Sequence, residues 1–180
     1  MRFTIFTISL LGVAGIANAD APKVPSEAPY IVLSENLDEP NGYGFCIDTY
    51  GAGRSDLMQT HTCKPASEGE PRSYEGNDTR FEYDANTMQV ASYPFEGFCM
   101  QALIATGKSE FALLECNDHP RQKFAFSEAD QTLRLNEDNT KCVVVSAETV
   151  PAGPWVKRAL SLENCDEVDA VLKQWSIVSE

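Results

Sequence analysis

Six cysteines are the residues of this chain whose number and spacing most directly indicate chemistry: Cys46, Cys63, Cys99, Cys116, Cys142 and Cys165. An even number of cysteines in an exported chain predicts three disulfide bonds rather than catalytic thiols. A zinc site is a weaker interpretation, because no Cys-x-x-Cys pair occurs and the two histidines, His61 and His119, stand far apart in the sequence. We therefore predict structural disulfides and no metal or cofactor.

The cysteines also mark an internal repeat. Each of three segments has a cysteine that opens an apolar strand, then a second cysteine, then an aromatic residue that begins another strand. The triplets are Cys46, Cys63 and Phe81; Cys99, Cys116 and Phe124; and Cys142, Cys165 and Trp175. A period of about 40 to 50 residues indicates one strand-rich unit used three times. Although six cysteines can pair in about fifteen ways, the repeat favours one disulfide within each triplet.

The first residues of the chain predict export. Residues 1–19 contain Arg2, an apolar run over residues 5–16, and Ala17-Asn18-Ala19 before Asp20, which is typical of a secretory signal peptide cut after Ala19. The run is too short for a membrane anchor, which needs about 20 apolar residues. Cleavage leaves 161 of the 180 residues, enough for one domain. Residues 20–29, rich in Pro and Ala, predict a short linker or disordered arm, and we expect a secreted protein, extracellular or periplasmic.

Charge and motif content exclude several classes of function. Without Arg2 the mature chain has 13 basic and 27 acidic residues, a net charge of −14, so we expect neither nucleic acid nor membrane insertion. No Ser/His/Asp constellation, phosphate-binding Gly-rich loop or metal-ligand spacing occurs. We therefore expect that the chain is not an enzyme.

Alternating and β-branched runs predict twelve strands, which divide into three groups of four over residues 28–86, 87–127 and 128–180. No helical stripe exceeds about one turn. Three units of four strands can pair so that no sheet edge stays exposed. We expect the aromatic residues Phe81, Phe124 and Trp175 mostly in a shared core, and residues 64–79 as the longest irregular insertion.

The repeat resembles a known family. Phe45-Cys46-Ile47-Asp48 is similar to the Cys-Leu-Asp-Val strand of ricin-type β-trefoil lectins, and residues 80–83, 123–126 and 174–177 fall where that family has its Gln-x-Trp strand. Gln122 alone keeps the family glutamine. The resemblance covers residues 30–180, and it implies an all-β fold, the β-trefoil: three four-stranded repeats with pseudo-threefold symmetry and one disulfide per repeat.

The resemblance also implies where a sugar would bind. In the family an Asp accepts hydrogen bonds from sugar hydroxyls, an aromatic ring stacks on the sugar, and an Asn closes the far side. Only the first repeat keeps the acid, as Asp48; Gln101 and Val144 replace it in the other two. The other positions in the first repeat are His61 for the ring, with Tyr50 as a substitute, and Asp78, with Asn77 beside it. The resemblance thus implies one weak site for a galactose-like or N-acetylated hexose on a carbohydrate or glycoconjugate.

Three alternatives remain open from the sequence. Asp48 could instead cap the turn into Gly51 through local amides. The chain could be a non-catalytic trefoil that binds a protein partner or a cell surface, similar to the ricin-like toxin subunits of cytolethal distending toxin assemblies. A third alternative is a trefoil protease inhibitor, for which residues 64–79 with Arg72 supply the only candidate loop.

Overall fold

The computed structural model describes residues 20–50, 54–65, 77–105 and 108–179, and these form thirteen strands. The strands are β1 (Tyr30–Leu33), β2 (Phe45–Thr49), β3 (Met58–Thr62), β4 (Phe81–Asp84), β5 (Gln89–Ser92), β6 (Phe98–Ala105), β7 (Lys108–Glu115), β8 (Phe124–Ser127), β9 (Thr132–Leu135), β10 (Lys141–Val145), β11 (Val150–Ala152), β12 (Trp155–Asn164) and β13 (Trp175–Val178). Single 3₁₀ turns lie at Pro120–Gln122, Cys165–Glu167 and Ala170–Leu172. In the described ranges no helix has the length and apolar character that crossing a membrane requires.

Twelve of these strands correspond one to one with the predicted strands. The additional strand, β11, pairs with β12 as a hairpin, with Val150 opposite Lys157 and Ala152 opposite Trp155. Pro151 within it is tolerated because β11 is an edge strand, which pairs with β12 and with no other described strand. The prediction of twelve strands missed it because a three-residue run containing proline carries too little periodicity to be recognised.

Strand pairing repeats three times around the molecule. The last strand of each repeat pairs with the first strand of the next one, as β4 with β5, β8 with β9, and β13 with β1. The aromatic residue that begins each last strand occupies the same register, since Phe81 lies opposite Ser92, Phe124 opposite Leu135, and Trp175 opposite Leu33. The hairpins β2–β3, β6–β7 and β10–β12 complete the three repeats. This is the predicted β-trefoil with pseudo-threefold symmetry.

The three disulfides have the predicted pairing. Cys46 bonds to Cys63, Cys99 to Cys116 and Cys142 to Cys165, each within one repeat. In each repeat the amide of the second cysteine also donates to the carbonyl of the residue two before the first cysteine, namely Gly44, Gly97 or Thr140. Each bridge thus closes a hairpin that backbone hydrogen bonds already align.

The core forms where the three repeats meet. Phe81, Phe124 and Trp175 are fully buried in one cluster with apolar residues of all three repeats, as the sequence predicted. The indole nitrogen of Trp175 donates to the carbonyl of Val143 at 3.0 Å, so burial of this ring leaves no polar atom without a partner. The faces of the hairpins that carry the disulfides point away from this core.

Residues 20–29 contain no strand but pack against the first repeat. The Lys23 amide donates to the Gly42 carbonyl at 2.7 Å, and the Asn36 amide donates to the Asp20 carbonyl at 3.1 Å. Val24 packs on the small cluster around the first disulfide. We expected a linker or disordered arm here, but the described residues of this segment contact the first repeat. Such contacts are possible because proline-rich backbone can still hydrogen-bond through its non-proline residues. The predicted signal peptide, residues 1–19, lies outside the described residues.

Packing of this segment makes a substitution at Gly44 costly. Gly44 has φ +80°, and a Cβ there would lie 2.5 Å from Cβ of Pro22; Gly97 is equivalent in the second repeat, with φ +81° and open space around the same position. Both glycines tolerate a left-handed backbone that alanine disfavours. We expect Gly44→Ala to lower the free energy of unfolding by about 1–2 kcal/mol more than Gly97→Ala does. Urea denaturation of both variants measures the difference, and equal losses would show that residues 20–29 do not pack as described.

Candidate functional site

The hairpin of the first repeat directs the predicted acid and ring away from the hydrophobic core. Cys46 and Asp48 are two residues apart in β2, so their side chains share one face, and His61 lies directly opposite Cys46 on β3. The alternate residues of β2, Phe45 and Ile47, face the core. Strand alternation therefore places Asp48 and His61 together on the disulfide face of this hairpin.

Asp78 reaches the same place from another direction. It lies in a turn in which the Arg80 amide donates to the Asn77 carbonyl at 3.0 Å, just before β4 begins at Phe81. Asn77 is buried beside it. The turn fixes Asp78 close to the end of the first-repeat hairpin, so the structure brings Asp48, His61 and Asp78 into one neighbourhood.

Lys64 joins these residues, and the sequence analysis did not single it out. Its ammonium Nζ lies 2.6 Å from Oδ1 and 2.7 Å from Oδ2 of Asp78, and 3.7 Å from Oδ2 of Asp48. The contact with Oδ2 of Asp78 is a charge-assisted hydrogen bond, and the other two contacts are ion pairs. Lys64 directly follows Cys63, and its carbonyl accepts a hydrogen bond from the Ser26 hydroxyl, so its backbone is fixed. We refer to Asp48, His61, Lys64 and Asp78 as the first-repeat cluster.

The first-repeat cluster is closed to solvent except at Lys64. The side chains of Asp48 and Asp78 are 1% and 2% exposed, whereas that of Lys64 is 16% exposed. His61 is also buried. A ligand that is to reach either carboxylate must therefore displace the Lys64 ammonium first.

Burial dominates the electrostatics of this cluster. It raises the pKa of Asp48 well above the ordinary value, the charge of Asp78 adds to this effect, and Lys64 opposes it. Burial also raises the pKa of Asp78 against the opposing effect of Lys64. Two carboxylates share one ammonium, so the fully ionised cluster carries one uncompensated negative charge in a poorly solvated place. That charge favours any ligand able to donate hydrogen bonds.

His61 is a neutral imidazole at pH 7. Burial, and after it the positive charge of Lys64, lowers the pKa of His61 to about 4. Its Nδ1 lies 3.1 Å from the Thr62 carbonyl oxygen, and because a carbonyl can only accept, Nδ1 carries the proton. The Nε2 atom is therefore an acceptor, and the ring is an uncharged plane beside the carboxylates.

Tyr50, predicted as a substitute ring, belongs to a different surface. It is exposed and lines a cleft with Leu57 and Val150, and the Lys157 ammonium lies 4.0 Å from the centre of its ring. The turn into Gly51, which Asp48 would cap in the alternative interpretation, lies outside the described residues, as does most of the 64–79 insertion with Arg72.

In the other two repeats, uncharged side chains with different contacts occupy the position equivalent to Asp48. In the second repeat Gln101 accepts a hydrogen bond from Gln122 at 3.1 Å, and buried Gln122 also donates to the Glu115 carbonyl. In the third repeat Val144 packs on the Cys142–Cys165 disulfide. An amide pair and an apolar contact thus replace the carboxylates, and within the described residues only the first repeat presents charge at this position.

Comparison with known proteins bears on the fold. Neither a protein-family model nor a curated protein sequence matches the chain. Its structure is similar to the earthworm R-type lectin C-half in complex with GalNAc, with a TM-score of 0.55 and 14% identity over 85% of this chain and 100% of that one. It is also similar to the Vibrio vulnificus hemolysin/cytolysin β-trefoil lectin with N-acetyl-D-lactosamine bound, with a TM-score of 0.54 and 12% identity over 84% and 93%.

A third similar structure is GalNAc-T7 with UDP, GalNAc and Mn²⁺, with a TM-score of 0.52 and 14% identity. The match covers 88% of this chain, which spans only 23% of the GalNAc-T7 chain. At these identities the likeness concerns the fold. The chain has the β-trefoil fold that the sequence resemblance implies.

Proposed function

We propose that this chain is a non-catalytic carbohydrate-binding module with one weak site, formed by the first-repeat cluster, for a galactose-like or N-acetylated hexose. The observation that carries the proposal is the convergence of Asp48, His61 and Asp78 around Lys64, since these are the side chains to which the sequence resemblance assigns a sugar. Similar folds in the earthworm and Vibrio lectins, whose structures contain GalNAc and N-acetyl-D-lactosamine, support the same ligand class.

The chemistry of the cluster suits a sugar. Buried carboxylates make strong hydrogen bonds to hydroxyl donors, and Asp48 and Asp78 share the single ammonium of Lys64. The neutral imidazole of His61 is buried in the closed cluster, and once the cluster opens it offers a flat surface for the apolar face of a hexose. Two vicinal hydroxyls could replace the Lys64 ammonium as donors, since the ligand would bridge the same two carboxylates.

Lys64 makes the proposed site weak. The sugar must break the short Lys64 contacts with Asp78 before its own hydroxyls can bind, so part of the binding free energy is spent on opening. We expect a dissociation constant near millimolar, about −4 kcal/mol. Useful avidity then requires several copies of the module on one surface.

Secretion is part of the proposal. It is supported by the signal-peptide pattern of residues 1–19 and by three disulfides, which persist in oxidising compartments. The alternative of a protein-binding toxin subunit draws no support from the first-repeat cluster, because buried, charge-paired residues offer no docking surface to a protein.

A glycan array followed by calorimetry tests the proposal. We expect the wild-type chain to bind glycans that end in galactose or N-acetylgalactosamine, and Asp48→Asn to lower the affinity at least tenfold. Asparagine matches the shape of aspartate but lacks its charge, so the charge-assisted hydrogen bonds to the hydroxyls are weakened.

The matched control is Asp118→Asn, the same chemical change at a fully exposed carboxylate of the second repeat. It is expected to leave sugar affinity unchanged. Thermal unfolding of both variants checks that each is folded. Absence of binding to every glycan on the array, or equal loss of affinity in the two variants, would overturn the proposal.

A further inference from the structure

Exposed apolar side chains are concentrated at one end of the molecule. Among the described residues the large apolar side chains with the greatest exposure, between 44% and 51%, are Tyr50, Leu57, Ile104 and Val150. Single exposed apolar residues are ordinary, but grouping of such residues marks an interaction site. All four line one of two clefts: Ile104 lines a larger cleft of about 770 Å³, and the other three line a smaller one of about 260 Å³.

The two clefts adjoin, because both are lined by Glu110, Ala159 and Leu160. They arise where the three hairpins depart from threefold symmetry. Strand β12 pairs with β3, whereas β7 ends the four-stranded sheet β4–β5–β6–β7 and pairs only with β6 among the described strands. The second hairpin therefore packs near the third without pairing with it, and residues of both line the larger cleft.

The larger cleft combines an apolar floor with an acidic rim. Leu135, Leu160 and Leu162 form the floor. Of the described side chains around it, four are carboxylates, and one, Lys141, is basic; the carboxylates are those of Glu110, Glu137, Asp138 and Glu163. Glu137 forms an ion pair with Arg121 at 3.3 Å. Hydrogen bonds from the Thr140 hydroxyl and amide lower the pKa of Asp138. The rim is therefore negative at neutral pH.

The charge and the shape of the larger cleft together indicate which kind of ligand it would bind. An acidic rim around an apolar floor favours a cationic group carried beside apolar groups, and it repels phosphates and anionic lipid heads. A second copy of this chain is also disfavoured, since each copy has a formal net charge of −13. The volume falls in the range of about 300–1,000 Å³ that is usual for ligand-binding clefts, which is enough for a few side chains.

We propose that the two clefts dock a short segment of a partner protein in which lysine or arginine stands next to aliphatic or aromatic residues. The apolar side chains enter the clefts against Ile104, Leu57 and Val150, and the basic groups pair with Glu163 and its neighbours on the rim of the larger cleft. The smaller cleft takes apolar side chains only, because Lys157 and Arg158 also line it. This function is additional to sugar binding and uses other side chains.

The test uses a random 12-residue peptide library displayed on phage and selected on the full chain. We expect enriched sequences that combine Lys or Arg with apolar residues. The best synthetic peptide is then titrated by fluorescence anisotropy, where Ile104→Asp and Glu163→Lys are each expected to lower the affinity at least tenfold. Both side chains are exposed, so neither change is expected to affect folding.

The matched control is Glu82→Lys, an equal change of charge at an exposed residue of β4, with an expected loss of less than twofold. Asp48→Asn is expected to leave peptide affinity unchanged, so failure of the sugar proposal and failure of this one can be told apart. No enrichment, enrichment of uncharged or acidic peptides, or an equal loss in Glu82→Lys and Glu163→Lys would overturn the proposal.

Discussion

Replacing Lys64 with methionine is expected to lower the free energy of unfolding by about 3–5 kcal/mol at pH 7, because it leaves two buried carboxylates without their counter-charge. Methionine keeps most of the packing of the lysine stem, so the loss reports the charge. At pH 4 the loss is expected to shrink, since burial raises the pKa of both Asp48 and Asp78 and protonated carboxyls need no cation. Urea denaturation at the two pH values measures both quantities.

The chain offers a matched control for this substitution at Lys123. The Lys123 side chain is 17% exposed, close to the 16% of Lys64, but its partner Asp118 is fully exposed rather than buried. Lys123→Met should change stability little, as is usual for ion pairs with solvated partners. Equal destabilisation by the two substitutions would contradict the role that we assign to the buried carboxylates.

A second large effect is expected from the buried imidazole as pH falls. The pKa of His61 is about 4 in the folded chain and 6.5 for an unperturbed histidine. Between these values the unfolded chain binds a proton that the folded chain does not, so stability decreases as pH falls from about 6.5 to about 4. We expect the wild-type chain to lose about 2–3 kcal/mol relative to His61→Gln over this range.

Comparison at each pH with the variant cancels the contributions of other titrating groups. His119→Gln serves as the control, since His119 is exposed and caps a single 3₁₀ turn by accepting from the Arg121 amide. Its effect should vary by no more than about 1 kcal/mol over the same range, the usual size of a cap. A constant difference between wild type and His61→Gln would show that the imidazole is not buried as described.

The repeat could be recognised from the sequence because the same local spacing of two cysteines and an aromatic residue occurs three times. Cysteine spacing and the aromatic residues Phe81, Phe124 and Trp175 predicted the disulfides and the shared core, since each triplet marks the same hairpin. The β-trefoil followed from the resemblance of these repeats to ricin-type lectins. The additional strand β11 was not predicted because it is short, contains Pro151, and interrupts the register of only the third repeat.

The site was predicted only in part. Alternation along β2 and β3 predicts that Asp48 and His61 share a face, but no spacing rule indicates that Lys64 turns back between Asp48 and Asp78. That contact depends on how the chain returns after the insertion, which is a tertiary property. Burial of Asp48 has the same origin, as does the separation of Tyr50 from the cluster, so the sequence could name candidate side chains without showing which of them meet.

The two adjoining clefts likewise could not be predicted from the sequence. A perfect threefold repeat would pair its three hairpins alike, and nothing in the sequence indicates that β12 pairs with β3 while β7, among the described strands, pairs with neither. Nor does the sequence indicate that Ile104 and Val150, which belong to different repeats, lie near one surface. Only the unequal packing of the hairpins brings them to one surface.

A crystal structure of the chain saturated with N-acetyl-D-galactosamine most directly tests whether the first-repeat cluster is a sugar site that Lys64 closes. We expect sugar hydroxyls at about 2.5–3.0 Å from the carboxylates of Asp48 and Asp78, with the Lys64 ammonium moved away from its position 2.6 Å from Asp78 Oδ1. Sugar bound only in another repeat, or an unchanged ion-paired cluster at saturating sugar, would contradict it.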